Sequence, residues 1–416
     1  MLRKIMAFSP LLILFSCGDG STNPDMAEEQ IDTLTFDSPY KFNQKIKEEC
    51  EKYPADWRDQ IFSDEYALKG DHQNALKYWD SAFQRAPSSP SEAELDSIRA
   101  RYTATSALEY ISEISKSNQI IIINEEHHNS SHRIFTKSLL QSLYDNGYTH
   151  LGLETLMHQD TLLNSRKYPI QESGTYTKNP QFGELVRTAL EIGYVLFDYE
   201  VADYNVNGKE REIAQAQNIE KIISSNPDAK FLIHCGFSHV YEGDLFSWEK
   251  SMAGRLTEYT GINPFTIDQT AFSEKSEIKF NHPTLNAFQP KEAIVLLDSN
   301  KSPLNYEVND SENNYWADLV VLHPITEYIS GRPDWLFNAE NKSIPIDLEK
   351  IEIDYPVMIM AFKSDEDIYD GVPIDLIELE NNTEPANLIL KEGSYNIVIT
   401  NQKAEAIMYH IAVEIP

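Results

Sequence analysis

The amino-acid sequence predicts an α/β protein with a mostly parallel sheet, helices on both faces of it, a helical region before it and a small C-terminal β-sandwich after it. Residues 117–330 alternate short apolar runs with amphipathic segments, which is typical of a parallel sheet covered on both faces. Residues 41–116 have helical periodicity. Residues 345–416 contain regularly spaced apolar runs separated by turn-rich pieces, which is typical of a sandwich.

The N-terminus has the features of a bacterial export signal. Arg3 and Lys4 precede the apolar run 5-IMAFSPLLILF-15, which is too short to cross a bilayer as a permanent helix. The next residues, 14-LFSC-17, resemble the lipobox of bacterial lipoproteins, in which the chain is cleaved before a cysteine that then receives lipid.

We therefore expect residues 1–17 to be a signal peptide and residues 18–40 to be a flexible tether. Cys17 would carry the lipid that anchors the protein to a membrane of the bacterial cell envelope, in the periplasm or at the outer membrane. The alternative is an ordinary secretory signal, and the protein is exported in either case.

Composition excludes two classes of function. The formal net charge is -31, whereas nucleic-acid binding requires clusters of Lys and Arg, so no nucleic-acid partner is expected. Beyond Cys17 only Cys50 and Cys235 remain, which is too few for a zinc site built on cysteines. These two thiols could pair in an oxidising compartment.

The helical region contains one recognisable pattern. The piece 66-YALKGDHQNALKYWDSAF-83 has a Gly-Asp turn between helical segments and resembles half of a tetratricopeptide unit. No second copy lies beside it, and a single unit cannot bury its own apolar face. We therefore predict a helical hairpin that packs on the main domain.

The apolar runs of the α/β region predict the strands of the sheet. Five of them alternate with helical segments: 120-IIIIN-124, 150-HLGLE-154, 194-YVLFDYE-200, 230-KFLIHCG-236 and 264-PFTIDQT-270. Two further runs, 293-AIVLLD-298 and 317-ADLVVLHP-324, are candidates to extend the same sheet.

Acidic and imidazole side chains follow each of the five strands. Ligands of parallel α/β sheets bind beyond the carboxyl ends of the strands, so these side chains should lie near one another. We expect Glu154 and His239 to join the four residues that follow the first strand, Glu125, Glu126, His127 and His128. Asp198, Glu200, His234 and Asp268 end the other strands, while ordinary structural roles are expected for His132, His150 and His158.

This group supports two kinds of chemistry. An imidazole beside a carboxylate is a general base that activates water against an ester or amide. Two histidines with one or two carboxylates also bind a divalent cation, which lowers the pKa of bound water. The sequence contains no HExxH, so zincin geometry is not available. The piece 236-GFSHV-240 has His where a serine-hydrolase elbow needs glycine, so that elbow is unsupported.

The order of these motifs resembles the TraB/Tiki, ChaN and erythromycin-esterase superfamily over about residues 116–272. The matching pieces are 124-NEEHH-128 after a strand, 151-LGLE-154, and 236-GFSH-239 in the place of a second G-x-x-H motif. The piece 211-REIAQAQNI-219 is similar to the Arg-acid helix that precedes that second motif in several members.

The resemblance leaves two assignments for the first motif. In the Tiki and ChaN pattern Glu125 and His127 form the functional pair, whereas the erythromycin-esterase pattern gives the role of general base to His128. We favour His127, because 124-NEEH-127 then mirrors 236-GFSH-239. Asn124 departs from the family, which has glycine at this position.

Family members differ in activity, and the resemblance therefore implies several functions. Tiki-like members are metal-dependent peptidases, and here the ligands of Mn, Co or Zn would be Glu125, His127, Glu154 and His239. Erythromycin-esterase-like members are hydrolases argued to need no metal. ChaN-type lipoproteins bind haem, for which Tyr199, Tyr204 and Tyr241 are candidate ligands.

The sequence thus favours an envelope-anchored hydrolase that acts on an ester or amide of a small-molecule or peptide substrate. Its predicted catalytic residues are Glu125, His127, His128, Glu154 and His239. The alternatives are a haem- or metal-binding lipoprotein without catalysis and a binding module with a vestigial site.

Overall fold

The structure is a computed structural model that describes residues 31–201 and 206–414. The predicted signal peptide, Cys17 and Tyr204 lie outside the described residues. Within these two ranges no helix has the length and apolar character needed to cross a bilayer.

The N-terminal region is mainly helical, and its elements are β1 (Asp32–Thr35), α1 (Asn43–Cys50), α2 (Ala55–Leu68), α3 (His72–Ala82) and α4 (Glu92–Arg99). Helices α2 and α3 form a hairpin around Gly70, whose φ of 76° is a conformation that favours glycine. Asp71 then caps α3, because its side chain accepts a hydrogen bond from the backbone N–H of Asn74 at 3.1 Å.

The part of the predicted tether that the structure describes is not free. Strand β1 pairs antiparallel with the last strand of the chain, with Asp32 opposite Met408. Phe36 and Tyr40 follow it and are buried against the C-terminal sheet. The prediction of a flexible tether up to residue 40 is therefore wrong for residues 32–40, since burial of these aromatic rings holds the segment in place.

The α/β region follows the chain order β2 (Thr103–Ser106), α5 (Ala107–Ser115), β3 (Ile120–Glu125), α6 (Ser130–Asp145), β4 (Tyr148–Leu153), α7 (Leu163–Arg166), α8 (Pro180–Ile192), β5 (Val195–Phe197), α9 (Gly208–Ser225), β6 (Lys230–Gly236), β7 (Glu242–Asp244), α10 (Met252–Thr260), β8 (Phe265–Asp268), α11 (Pro283–Phe288), β9 (Ile294–Leu297), β10 (Tyr306–Asn309), β11 (Asn314–Ala317) and β12 (Leu319–Val320). Six of these strands form one sheet in the order β12-β8-β3-β6-β4-β5, and every neighbouring pair is parallel. The predicted parallel sheet is confirmed.

Strand β3 lies inside this sheet and is buried on both faces. Ile121 and Ile123 pack in a cluster with side chains of α5, α6 and α8. Ile120 and Ile122 pack in a second cluster with side chains of α9 and α10. Four consecutive isoleucines occur here because successive side chains of a strand point to opposite faces, and both faces are apolar.

Two other expectations for this region differ from the structure. Strand β9, within the run 293–298, pairs antiparallel with β2 outside the central sheet, whereas β12 does extend that sheet beside β8. Cys50 and Cys235 are free thiols. They are buried in two separate apolar clusters, so they do not form a disulfide.

The C-terminal region contains antiparallel strands at the predicted positions. Its elements are β13 (Tyr328–Ile329), β14 (Arg332–Pro333), β15 (Asn341–Pro345), β16 (Val357–Lys363), β17 (Asp375–Leu379), β18 (Asn387–Lys391), β19 (Gly393–Asn401) and β20 (Glu405–Val413). One sheet has the order β1-β20-β19-β16-β17, and β15 pairs with β18. Thus the molecule is a mixed α/β protein with a six-stranded parallel sheet and separate antiparallel sheets.

Candidate functional site

The turn between β3 and α6 carries the first group of predicted residues. Strand β3 ends at Glu125, and α6 begins after Asn129, whose side chain accepts a hydrogen bond from the N–H of Ser131 at 3.2 Å. This cap fixes the start of α6. Arg133, in the first turn of the helix, consequently reaches back to the end of the strand.

Glu125 and Arg133 form a buried, two-pronged ion pair. Arg133 donates from Nε to Oε2 at 2.7 Å and from Nη2 to Oε1 at 2.8 Å. Burial alone would raise the pKa of Glu125, but Arg133 and then His127 lower it well below its usual range. Glu125 is therefore a carboxylate at neutral pH.

His127 is held by this carboxylate. Its Nδ1 lies 2.9 Å from Glu125 Oε1, which is hydrogen-bonding distance. Its ring stacks on Tyr176, with centroids 3.9 Å apart, and meets the edge of Phe237 at 5.1 Å. The side chain remains 15% exposed, so the imidazole is oriented and still reachable.

Gly236, at the end of β6, lets the imidazole approach the second group of residues. A Cβ atom built on Gly236 would lie 2.4 Å from His127 Nε2 and 3.3 Å from Glu154 Oε2. Both atoms therefore meet over this glycine, and a larger residue would displace one of them. The two strand ends β3 and β4 are brought together across β6, which lies between them.

The second group is built around Glu154 and Arg211. Glu154 accepts hydrogen bonds from the N–H of Gly236 and from Arg211 Nη2, each at 2.5 Å. Arg211, in the first turn of α9, also binds the carboxylate of Glu200. Burial would raise the pKa of Glu154, but His239, His127 and Arg211 lower it to about 2.

His239 lies on the other side of this arginine. Its Nδ1 is 2.7 Å from Glu212 Oε1, its Nε2 is 2.9 Å from Arg211 Nη1, and its ring stacks on Trp248. Burial lowers the pKa of His239, but Glu154 and Glu212 outweigh burial and raise it. Since Arg211 donates to Nε2, the ring in this arrangement carries its proton on Nδ1, towards Glu212.

Four of these residues, His127, Glu154, Glu200 and Arg211, help to line a cavity of about 220 Å³. It is smaller than most small-molecule pockets, which span roughly 300–1,000 Å³. Such a space fits the reacting part of a substrate. The cavity is lined by His127, Glu154, Thr155, Met157, Thr175, Tyr176, Glu200 and Arg211.

His128 occupies a different environment from its neighbour. It is 1% exposed, and its ring stacks on Trp79 of α3 at a centroid distance of 4.2 Å. Among the described residues neither ring nitrogen has a hydrogen-bond partner. Burial lowers its pKa to about 3. Of the two adjacent histidines, the structure places His127 beside the cavity and His128 in the packed interior.

The other strand-end acids have partners of their own. Asp198 lies at the surface, 3.4 Å from the exposed His158, and Glu200 pairs with Arg211. Asp268 is buried and accepts from Asn124 Nδ2 at 2.9 Å and from the Tyr241 hydroxyl at 3.0 Å.

Asn124 ties three strand ends together. Besides Asp268, its Nδ2 binds the carbonyl of Phe237 at 2.8 Å, and its Oδ1 accepts from the N–H of Gln269 at 2.7 Å. Asn124 thus has a structural role at the ends of β3, β6 and β8.

The donors at the site do not fit a divalent metal in this arrangement. Both oxygens of Glu125 bind Arg133, and both oxygens of Glu154 bind Arg211 or the N–H of Gly236. Accordingly, no group of three or more His, Cys, Asp or Glu residues in ranges 31–201 and 206–414 is arranged to hold a metal ion.

The candidate haem ligands that the structure describes are engaged in internal hydrogen bonds. Tyr199 is buried and donates its hydroxyl to the carbonyl of His234 at 2.8 Å. Tyr241 donates its hydroxyl to Asp268. Both tyrosines therefore serve as internal hydrogen-bond donors, and the third candidate, Tyr204, lies outside the described residues.

Four site residues were not predicted. Arg211 and Glu212 are the first two residues of the motif 211-REIAQAQNI-219. This motif is the sequence signal that places both residues at the site. Arg133 lies about one helical turn after the first motif, and its spacing from Glu125 is the sequence signal for this ion pair. Tyr176 comes from a long connection, and no sequence signal marks it.

Comparison with known proteins gives structural neighbours of low similarity. No protein-family model and no curated protein matches the chain. RRSP, a MARTX toxin effector domain from Vibrio vulnificus CMCP6, is 17% identical, with a TM-score of 0.29 over 49% of this chain and 43% of that one. The type III effector HopBA1 is 11% identical, with a TM-score of 0.32 over 54% and 96%.

The Pasteurella multocida toxin, whose C-terminal region has a thiol-protease-like catalytic triad, is 12% identical, with a TM-score of 0.31 over 52% of this chain and 31% of that one. The chain spans less than half the length of the first of these structures. Similarity at this level carries no argument about function, so the resemblance to the TraB/Tiki, ChaN and erythromycin-esterase superfamily stays a prediction.

Proposed function

We propose that this protein is a hydrolase of esters or amides in which His127 is the general base. One observation carries the proposal: Nδ1 of the partly exposed His127 lies 2.9 Å from the carboxylate of Glu125, while its Nε2 lies close to Gly236 and Glu154, and both His127 and Glu154 line the cavity. A carboxylate on Nδ1 holds the proton there and leaves the lone pair of Nε2 free to accept another.

The proposed reaction needs no group beyond water and the residues of the site. His127 Nε2 takes a proton from water, the oxygen of that water bonds to the substrate carbonyl carbon, and the carbonyl oxygen becomes an oxyanion. Arg211, whose side chain is 32% exposed, lines the cavity and places a fixed positive charge there for this oxyanion. The bond to the leaving group then breaks as His127 returns its proton to that group.

The test is hydrolysis of a panel of chromogenic esters and small peptides by the wild type and by His127→Gln. We expect the substitution to lower kcat/KM at least about a hundredfold, the usual size of a general-base contribution. His158→Gln is the matched control, because His158 is a surface residue. An inactive wild type, or equal activity of the His127 variant, would refute the proposal.

The same panel decides the metal question. The pairing of Glu125 and Glu154 with arginines supports a reaction without metal, so we expect activity to survive EDTA and to need no added Mn²⁺, Co²⁺ or Zn²⁺. Activity that appears only with one of these cations would require both ion pairs to open.

We also propose that the enzyme acts at the cell envelope, held by lipid on Cys17. The support is the sequence 14-LFSC-17 after an apolar run, and these residues lie outside the described part of the chain. Labelling with a fatty-acid analogue in a bacterial host, with Cys17→Ala as the control, tests this directly; label that persists in the variant contradicts it.

The C-terminal strands are proposed to form a small sandwich that braces the α/β region. The support is an ion pair between the two regions, in which Arg187 of α8 donates to Glu366 Oε1 at 2.7 Å and to the carbonyl of Val372 at 2.6 Å. Both charged side chains are buried. Proteolysis of Arg187→Met tests this role, and we expect faster cleavage between the two regions than in the wild type.

A further inference from the structure

A second cavity lies where the α/β region meets the C-terminal strands. Its volume is about 420 Å³, within the range of roughly 300–1,000 Å³ that small-molecule sites span. Helices α6 and α8 line one side of it, and side chains from residues 336–341 and 374–391 line the other. None of its lining residues lines the cavity beside His127, so the two spaces are separate.

One buried carboxylate in the wall of the second cavity has an oxygen without a hydrogen bond. The Glu184 side chain is 8% exposed, and no described residue donates a hydrogen bond to its Oε1. Arg187 Nη1 lies 3.6 Å from this oxygen, beyond hydrogen-bond length, and Arg187 instead directs Nε to Glu366 and Nη2 to the carbonyl of Val372. A buried carboxylate oxygen without a donor is costly, so Oε1 favours a ligand that carries an N–H or O–H group.

Positive charge lines the same cavity. Lys391 Nζ lies 3.4 Å from the other oxygen of Glu184, Oε2. Lys137 of α6 also lines the cavity, and it forms no ion pair with another described residue. Burial would raise the pKa of Glu184, but Arg187, Lys391 and Lys137 lower it, so Glu184 is ionised at neutral pH. Lys137 is therefore a cation that an acidic group of a ligand can pair with.

Another part of the wall is aliphatic. Leu336, Ile374 and Ile389 are buried side chains of the C-terminal region that line the cavity. Ile134 of α6 lines it from the other side and is partly buried. An apolar group of a ligand that enters this space leaves water, which is favourable. The cavity thus offers a hydrogen-bond acceptor, a cation and an aliphatic surface.

We propose that this cavity is a binding site for an aliphatic α-amino acid. The amino group of the ligand donates to Glu184 Oε1, its carboxylate pairs with Lys137, and its side chain packs on the aliphatic surface. Both polar groups of such a ligand meet a charged group that lacks this partner in the structure. Because α8 and the C-terminal strands both line the cavity, the bound ligand also holds the two regions together.

The first experiment measures the affinity of the purified protein for L-leucine by isothermal titration calorimetry. Leucinamide, which has no carboxylate, and 4-methylpentanoate, which has no amino group, are the matched probes. We expect each of them to bind at least about tenfold more weakly than leucine, because each loses one charge-assisted contact. A wild-type protein that binds no leucine at millimolar concentration, or that binds all three compounds equally, overturns the proposal.

Two substitutions assign the polar contacts. We expect Glu184→Gln to weaken leucine binding about tenfold and to leave 4-methylpentanoate binding no weaker, because that compound has no amino group. Lys137→Met should also weaken leucine binding about tenfold, and it should leave leucinamide binding no weaker. Glu191→Gln is the matched control, because Glu191 lies on α8 outside the cavity, where it pairs with Lys363 at 3.0 Å.

A third variant separates ligand binding from folding. Ser138 is an exposed residue of α6 that lines the cavity, so Ser138→Phe adds a ring to the wall without changing a buried group. We expect this variant to lose leucine binding and to unfold in urea like the wild type. If Glu184→Gln weakens leucine and 4-methylpentanoate equally, Glu184 only maintains the fold and the assignment is wrong. Leucine binding that is unchanged in Lys137→Met and Ser138→Phe also overturns it.

Discussion

The two histidines of 127-HH-128 are adjacent in the chain but lie in opposite environments. His127 is partly exposed, contacts a carboxylate and lines a polar cavity. His128 is buried in an aromatic stack, and burial lowers its pKa to about 3. The difference shows that the protonation behaviour of each histidine in this turn depends on the groups that its side chain contacts. The imidazole of His127 contacts a charged carboxylate, whereas the imidazole of His128 is shielded from water by burial.

The largest effect on this comparison is expected from Arg133→Met. The substitution would leave the buried Glu125 carboxylate without its cation, which costs about 3–5 kcal/mol in buried ion pairs of this kind. The measurement is the free energy of unfolding in urea at pH 7, with the exposed Arg101→Met as control. Equal stability of the two variants would show that Glu125 does not depend on this arginine.

Counted for a single residue, acid is expected to act next most strongly, and it acts on the buried histidines. The pKa of His128 is about 3 and those of His234 and His323 are about 4, because burial lowers all three, while an unfolded imidazole has a pKa of about 6.5. Between these values the unfolded chain binds more protons, so stability is lost as pH falls below about 6.5.

At pH 5 the loss from His128 alone is on the order of 2 kcal/mol, and the other two histidines add to it. His239, whose pKa is raised, acts in the opposite sense, since its contribution is present at low pH and lost as pH rises. Urea unfolding at pH 7 and pH 5 measures the sum. A His128→Phe protein should lose less stability over this range, and an equal loss would contradict the assignment.

Gly236→Ala tests the cavity side by steric means. Its Cβ would lie 2.3 Å from His127 Cε1, so the imidazole must move, at an expected cost of about 1–3 kcal/mol in stability and with loss of hydrolysis. The same substitution in a His127→Ala background removes the clash, and there its stability cost should largely disappear. If Gly236→Ala lowers the free energy of unfolding equally in both backgrounds, the clash with His127 is not the cause of the lost stability.

The smallest effect is expected from His128→Phe at pH 7. The phenyl ring retains the stack on Trp79 and replaces two ring nitrogens that have no hydrogen-bond partner among the described residues. We expect stability within about 1 kcal/mol of the wild type and nearly full hydrolysis of the ester panel. Loss of activity comparable to that of His127→Gln would make His128, not His127, the base.

Much of the fold and part of the site could be read from local sequence. The run 120-IIII-123 predicts a strand buried on both faces, and the acids and histidines after each strand predict the edge at which they meet. Glu125, His127, Glu154 and His239 do lie together there. These features follow from chain periodicity and from the common direction of parallel strands, which no distant contact has to specify.

The partners of these residues follow from contacts between distant parts of the chain. Whether His127 or His128 faces the cavity depends on Trp79, from the helical hairpin, and on Tyr176, from a long connection. Arg133 and Arg211 hold the carboxylates of Glu125 and Glu154 as anions through their ion pairs. The sequence contains every one of these groups, but their pairing arises only when remote segments pack, because electrostatic and stacking contacts depend on distance in space and not on separation along the chain.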